Sequence, residues 1–126
     1  MDDDRIWKFE ESLWTADAEH YHRSIDDTCL MVIPTHPFIL TGREAADAVS
    51  ATPRWTEVLF RNTRVSRPYE GLIVIAYQVE ARKPDADPYS ANCSSTYRRL
   101  AHEEWRVIQH QQTPMLAAGS MTSPLA

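Results

Sequence analysis

TYRRLAHEEWRVIQHQQTP, residues Thr96–Pro114, reads as one long β-hairpin whose tip is Ala101-His102. With those two residues as the turn, Leu100 faces Glu103, Arg98 faces Trp105, Tyr97 faces Arg106 and Cys93 faces His110. Working outward, the hairpin arms extend over Tyr89–Leu100 and Glu103–Thr113, and Trp55–Val65 and Leu72–Arg82 have the same strand character. Tyr69-Glu70-Gly71 and Lys83-Pro84-Asp85-Ala86-Asp87-Pro88 separate these strands. Such short connections make antiparallel neighbours. Strands longer than the usual length of about five or six residues make the sheet twisted and curved.

Before Trp55 the period is helical. Ile6, Phe9, Glu10, Leu13, Ala16 and Asp17 recur at three- and four-residue spacing, and Trp7 and Trp14 widen the apolar face. Asp17 is placed to cap a shorter second helix through Ala18-Glu19-His20-Tyr21-His22, fading at Asp26-Asp27. Cys29–Ile33 is a short strand ended by Pro34, with Phe38-Ile39-Leu40 as its return. Thr41-Gly42-Arg43-Glu44 is a capping box that opens a third helix, Ala45 to Ser50, stopped near Pro53. Three N-terminal helices packed on a long curved antiparallel sheet define an α+β domain over residues 1–114. The first helix is expected across the concave face, with a pocket beneath it. Residues 115–126 have no periodicity and are expected to form a C-terminal tail, flexible or packed on a partner subunit.

Composition narrows the function classes. A chain of 126 residues, 43% hydrophobic and 25% charged, suits one globular domain. Its net charge of -5 argues against a nucleic-acid partner, because phosphate binding needs a basic surface. Arg61, Arg64 and Arg67 are read as a solvated strand edge. No apolar run reaches membrane-spanning length, and the acidic first residues do not make a conventional secretion signal, so no membrane partner is expected. Cys29 and Cys93, far apart and without CxxC spacing, fit reduced, buried thiols in a cytoplasmic protein.

The hairpin register assigns faces. Ile73, Ile75, Tyr77 and Val79 share one face of their strand, and Cys93, Ser95 and Tyr97 lie with Arg106, Ile108 and His110. Tyr77, Tyr97, Ile108 and His110 are assigned to the concave face, where apolar bulk and a few proton donors or acceptors have the make-up of a small-molecule pocket. Trp105 and Val107, among Ser, Thr, Asn and Gln, fall on the opposite face, suited to sheet-to-sheet dimerisation. A slip of one residue exchanges the two sets.

Over Ile6–Pro114 these features resemble the nuclear transport factor 2-like superfamily, and within it the SnoaL-like group of small bacterial proteins. The likeness is carried by Phe9-Glu10-Glu11 to Trp14, Asp17 opening helix two, and Asp27 before the strand that ends at Pro34. Thr41-Gly42-Arg43-Glu44-Ala45, Tyr77 before a polar loop, and Trp105-Arg106-Val107 leading into His110-Gln111-Gln112-Thr113-Pro114 complete it. The resemblance implies a cone-shaped fold and a homodimer through the sheet face. It leaves the reaction open, since this architecture hosts isomerases, dehydratases, cyclases, epoxide hydrolases, oligomerisation hubs and transport adaptors.

His110 is the first candidate for chemistry, as general acid or base near neutral pH. Tyr77 and Tyr97 are candidates to orient or polarise a carbonyl, or are core aromatics. Trp14 and Trp55 are expected to wall the pocket, with Tyr21 near its mouth. The inner segments Leu72–Val79, Ala91–Tyr97 and Trp105–Gln112 contain no Asp or Glu, and of Glu57, Glu10 and Asp27 none is expected to be well placed as a buried carboxylate. No metal is expected, because His20 and His22 fall on different helix faces and no Cys/His cluster has ligand spacing. Three glycines make no phosphate loop, and no cofactor is implied. Three readings follow: a small, largely apolar ligand bound in the helix–sheet pocket; a dehydratase, cyclase or isomerase type of acid/base enzyme on a carbonyl-bearing or polyketide-like substrate; and a dimerisation module without ligand.

Overall fold

Asp2 starts the first helix by accepting the Arg5 amide on its side chain, in the computed structural model that describes residues 1–115. This helix is α1 (Asp3–Thr15). Asp17 likewise accepts the His20 amide and opens α2 (Ala18–Ser24), which runs directly into β1 (Ile25–Val32). After β2 (Ile39–Thr41), the capping box forms as the sequence indicates: Thr41 accepts the Glu44 amide, the Glu44 side chain accepts the Thr41 amide, and α3 (Gly42–Ser50) follows. Gly42 is required here. A Cβ at that position would stand 2.0 Å from the Asp26 carbonyl oxygen and 2.8 Å from Ile25 Cγ2, so no larger residue lets α3 lie this close to β1.

The chain then builds β3 (Glu57–Tyr69), β4 (Leu72–Arg82), β5 (Tyr89–Ala101) and β6 (Glu104–Pro114), each antiparallel to the next. All six strands form one curved sheet in the order β2-β1-β6-β5-β4-β3. The sheet is mixed, not wholly antiparallel as expected: β1 lies parallel to β6, with Met31 opposite His110. No turn joins those two strands, so nothing local in the sequence marks the pairing. Its consequence is to set α2, β1 and α3 beside His110.

The hairpin register also differs. The turn lies one residue further on, at His102-Glu103, with Ala101 facing Glu104 and Glu103 in the left-handed region at φ 62°. Arg5 of α1 holds it there, donating to the Glu103 carboxylate and, at 3.1 Å, to its carbonyl oxygen. Leu100 is then left unpaired, so that Arg99 faces Trp105, Arg98 faces Arg106 and Tyr97 faces Val107; Thr96 next faces Gln109, which leaves Ile108 unpaired as a second β-bulge. Beyond the bulge Ser95 faces His110 and Cys93 faces Gln112. Between the two bulges the expected faces are therefore exchanged. Trp105 and Val107 join the core, and Ile108, expected on the inner face, is only half-buried. The extra residue restores the parity, and His110 is buried on the inner side after all.

Ile6 and Leu13 of α1, Ile73, Ile75 and Val79 of β4, and Tyr97 and Val107 of the hairpin lie in one buried core. Among the described residues no helix is long and apolar enough to cross a membrane. The expected tail, apart from Met115, lies outside the described residues.

Candidate functional site

A cavity of about 380 Å³ opens beside this core, within the size range of small-molecule sites. Each of its walls comes from a different part of the chain. Leu13 and Trp14 come from α1, Tyr21 from α2, Met31 from β1 and Val49 from α3. Trp55, Lys83 and Tyr89 form another side, and His110 and Gln112 of β6 supply polar groups. Trp55 stacks on Tyr89 with ring centroids 5.9 Å apart and an interplanar angle of 20°. Trp14 meets the His110 ring edge-on at 6.2 Å. The Tyr21 hydroxyl points to Met31 Sδ, 3.3 Å away.

Of the residues expected to bind ligand, Trp14, Tyr21, Trp55 and His110 border this cavity; Tyr77 and Tyr97 do not. Both tyrosines are buried, with their hydroxyls turned to Glu10. Sequence reasoning missed Glu10. It was expected to be poorly placed, yet it is fully buried on α1 and accepts hydrogen bonds from Tyr77 at 2.5 Å, from Ser95 at 2.7 Å, and from Tyr97. The signal was present: Glu10 sits on the apolar stripe of α1, four residues after Ile6 and three before Leu13, where a helix meets its core. A charge at such a position is buried only when its partners are supplied by other elements. Here β4 and β5 supply them.

Ser95 links this carboxylate to His110. Its hydroxyl donates to Glu10, so its oxygen is left to accept, and His110 Nδ1 stands 2.7 Å away. The network assigns the imidazole proton to Nδ1 and leaves a lone pair on Nε2, where the Gln112 amide nitrogen approaches to 3.1 Å. Glu10 Oε2 itself lies 3.7 Å from Nδ1. The Trp14 indole N–H donates to the Tyr77 hydroxyl at 3.1 Å, which commits that hydroxyl to Glu10.

Burial sets the titration of these groups. It pushes Tyr77 and Tyr97 well above their ordinary range, with the nearby Glu10 charge adding to the effect, so both stay protonated as donors. His110 is held below its ordinary value, because burial disfavours the imidazolium more than Glu10 and a Ser94 backbone contact favour it. A neutral imidazole backed by a hydroxyl and a carboxylate can accept a proton at Nε2 and pass positive charge toward Glu10. Cys93 is unsuited to nucleophilic attack: burial first, then Glu10, pushes its thiol up to about 12. Among the described residues no group of three or more His, Cys, Asp or Glu is arranged to hold a metal ion.

No protein-family model matches the sequence, and no curated protein does. Solved structures are similar in fold. A nuclear transport factor 2-like protein from Cytophaga hutchinsonii superposes with a TM-score of 0.74 at 18% identity, over 91% of this chain and 100% of that one. A candidate ketosteroid isomerase from Parabacteroides distasonis gives 0.73 at 17% identity, over 87% and 85%. The association domain of C. elegans CaMKII gives 0.71 at 15% identity, over 87% and 90%. At these scores and coverages, this chain has the nuclear transport factor 2-like fold.

Proposed function

We propose that this chain is a SnoaL-like domain, cone-shaped with α1 across its concave side, that binds a small, largely apolar molecule in the cavity. The observation that carries the reading is the cavity itself: about 380 Å³, walled mostly by aromatic and aliphatic side chains, with a few polar groups to orient a guest. Trp14, Tyr21 and Trp55 contact the ligand, and His110 presents a polar group to it. Tyr77 and Tyr97 act one layer back, by fixing Glu10. N-phenyl-1-naphthylamine, a neutral apolar probe, is expected to brighten on binding to the full chain. Val49→Trp, which fills the cavity from α3, is expected to weaken that binding at least about tenfold, or about 1.4 kcal/mol, with the circular dichroism unchanged. Binding that survives the substitution would mean that the probe sits elsewhere.

A second reading is favoured by the Glu10–Ser95–His110 line. Ending in a lone pair on a cavity residue, it suits a dehydratase, cyclase or isomerase type of enzyme on a carbonyl-bearing or polyketide-like substrate, with His110 as base. The similar candidate ketosteroid isomerase adds weight to this reading.

The domain also dimerises, through the outer face of the sheet. Leu30 and Val32 of β1 stand exposed there beside the polar residues of β5 and β6, and the fold is shared with a domain described as an association domain. Light scattering is expected to give twice the 14.5 kDa of one chain. The mass of a single chain would count against the dimer and against a role as a dimerisation module alone. The protein works in the cytoplasm, a reading supported by two free, buried cysteines.

A further inference from the structure

Arg54 and Lys83 both border the cavity, and no Asp or Glu does. In a chain of net charge -5 that is a local reversal of sign. Arg54 is fixed in place. Its Nε donates to the Ala16 carbonyl oxygen at 2.8 Å, an Nη donates to the Leu13 carbonyl oxygen, and its guanidinium lies 5.5 Å from the Tyr21 ring centroid. All these partners are neutral. Lys83 Nζ lies 4.4 Å from the Trp55 ring centroid, which is also neutral. Other cations pair with carboxylates, as Arg5 does with Glu103, Arg67 with Asp3 and Arg99 with Glu70. Neither Arg54 nor Lys83 has such a partner among the described residues, and residues 116–126 carry no Asp or Glu.

Two cations in an apolar wall, balanced by no carboxylate of that wall, leave a positive potential where the dielectric is low. That potential disfavours a cationic guest. It favours an anion more strongly than it would at an open surface, because little water intervenes.

We propose, on the reading that the cavity is a ligand site, that its ligand is an amphiphile with one anionic head of carboxylate type. Arg54 and Lys83 receive the head, and the apolar body lies along Trp14, Trp55 and Tyr89. The side that carries His110 and Gln112 then meets a neutral part of the molecule. Aryl-alkanoic and medium-chain fatty acids have this chemistry; neutral hydrocarbons and amines do not.

The test uses two probes with one ring system. N-phenyl-1-naphthylamine is neutral, and 8-anilinonaphthalene-1-sulfonate carries one anion on the same rings. The full chain is expected to bind the sulfonate at least about tenfold more tightly, a difference of about 1.4 kcal/mol. Lys83→Met keeps an unbranched side chain against Trp55 and removes the charge; it is expected to weaken sulfonate binding about tenfold and neutral-probe binding less than about twofold. Lys83 is chosen because Arg54 also holds the end of α1. Val49→Trp is expected to displace both probes, and sulfonate binding that persists in it counts against the site. Equal affinity for the two probes, or a Lys83→Met effect on both alike, overturns the anionic assignment while the cavity reading stands. Binding of neither probe overturns both.

Discussion

Glu10→Ala is expected to destabilise the fold by about 3–5 kcal/mol, enough to lower the melting midpoint by about 10–20 °C in a domain of this size. The reason lies in what the substitution leaves behind. Tyr77, Tyr97 and Ser95 all donate to Glu10, and all three are buried where water cannot replace the acceptor. Each stranded hydroxyl costs about 1–3 kcal/mol, and the terms are not additive because Ser95 can donate to His110 Nδ1 instead once the imidazole proton moves to Nε2. Glu10→Gln should fall between, since its oxygen keeps one acceptor while its amide group meets a donor. Combining Glu10→Met with Tyr77→Phe and Tyr97→Phe removes the acceptor together with two of its donors, and part of the lost stability should return, less what the Trp14 indole N–H loses with the Tyr77 hydroxyl. Urea unfolding of the four proteins measures this. A Glu10→Ala loss below about 1 kcal/mol would mean that the carboxylate does not organise the core.

His110→Gln is expected to have the largest effect on chemistry. If the chain turns over a carbonyl substrate, removing the base should lower kcat by about 10²–10⁴-fold and leave probe binding within about twofold, since Gln still fills the cavity wall. The acid limb of the pH–rate profile should lie below the ordinary histidine value of 6.5, because burial holds His110 lower despite Glu10. Stability follows the same proton. With the folded-state pKa depressed, the unfolded chain binds the proton first as the pH falls through about 6.5. The contribution of neutral His110 is therefore complete above that value and is lost as the pH drops toward the folded-state pKa. Wild-type protein should lose urea resistance from pH 7.5 to 5, and His110→Gln should lose less, because its side chain does not titrate. Glu10, 3.7 Å from Nδ1, and the Ser94 backbone favour the imidazolium and oppose the loss. Identical slopes in the two proteins would remove His110 from the account, and turnover unaffected by the substitution would retire the enzyme reading.

What the sequence determined by itself is local. Asp17 and the Thr41–Glu44 box place two helix starts because a side chain bonds an amide three residues away. Gly71, at φ 79°, and Lys83–Pro88 punctuate strands whose alternation shows which side chains share a face. From these the α+β class, the strand list and the inward side of Tyr77, Tyr97 and His110 were legible. Tertiary structure decided what depends on residues far apart in the chain. Arg5, on another element, holds the turn at His102-Glu103, while an unpaired Leu100 exchanges the faces and an unpaired Ile108 resets the parity. Periodicity cannot register a bulge, because one extra residue changes no composition. The parallel β1–β6 pairing has no connecting turn to announce it. Glu10 illustrates the same limit: α1 places a carboxylate on its buried stripe, but three hydroxyl donors from two strands make that position tolerable. Spacing along a chain reports where a side chain points. Only the assembled neighbours decide whether a buried charge is a fault or the centre of a site.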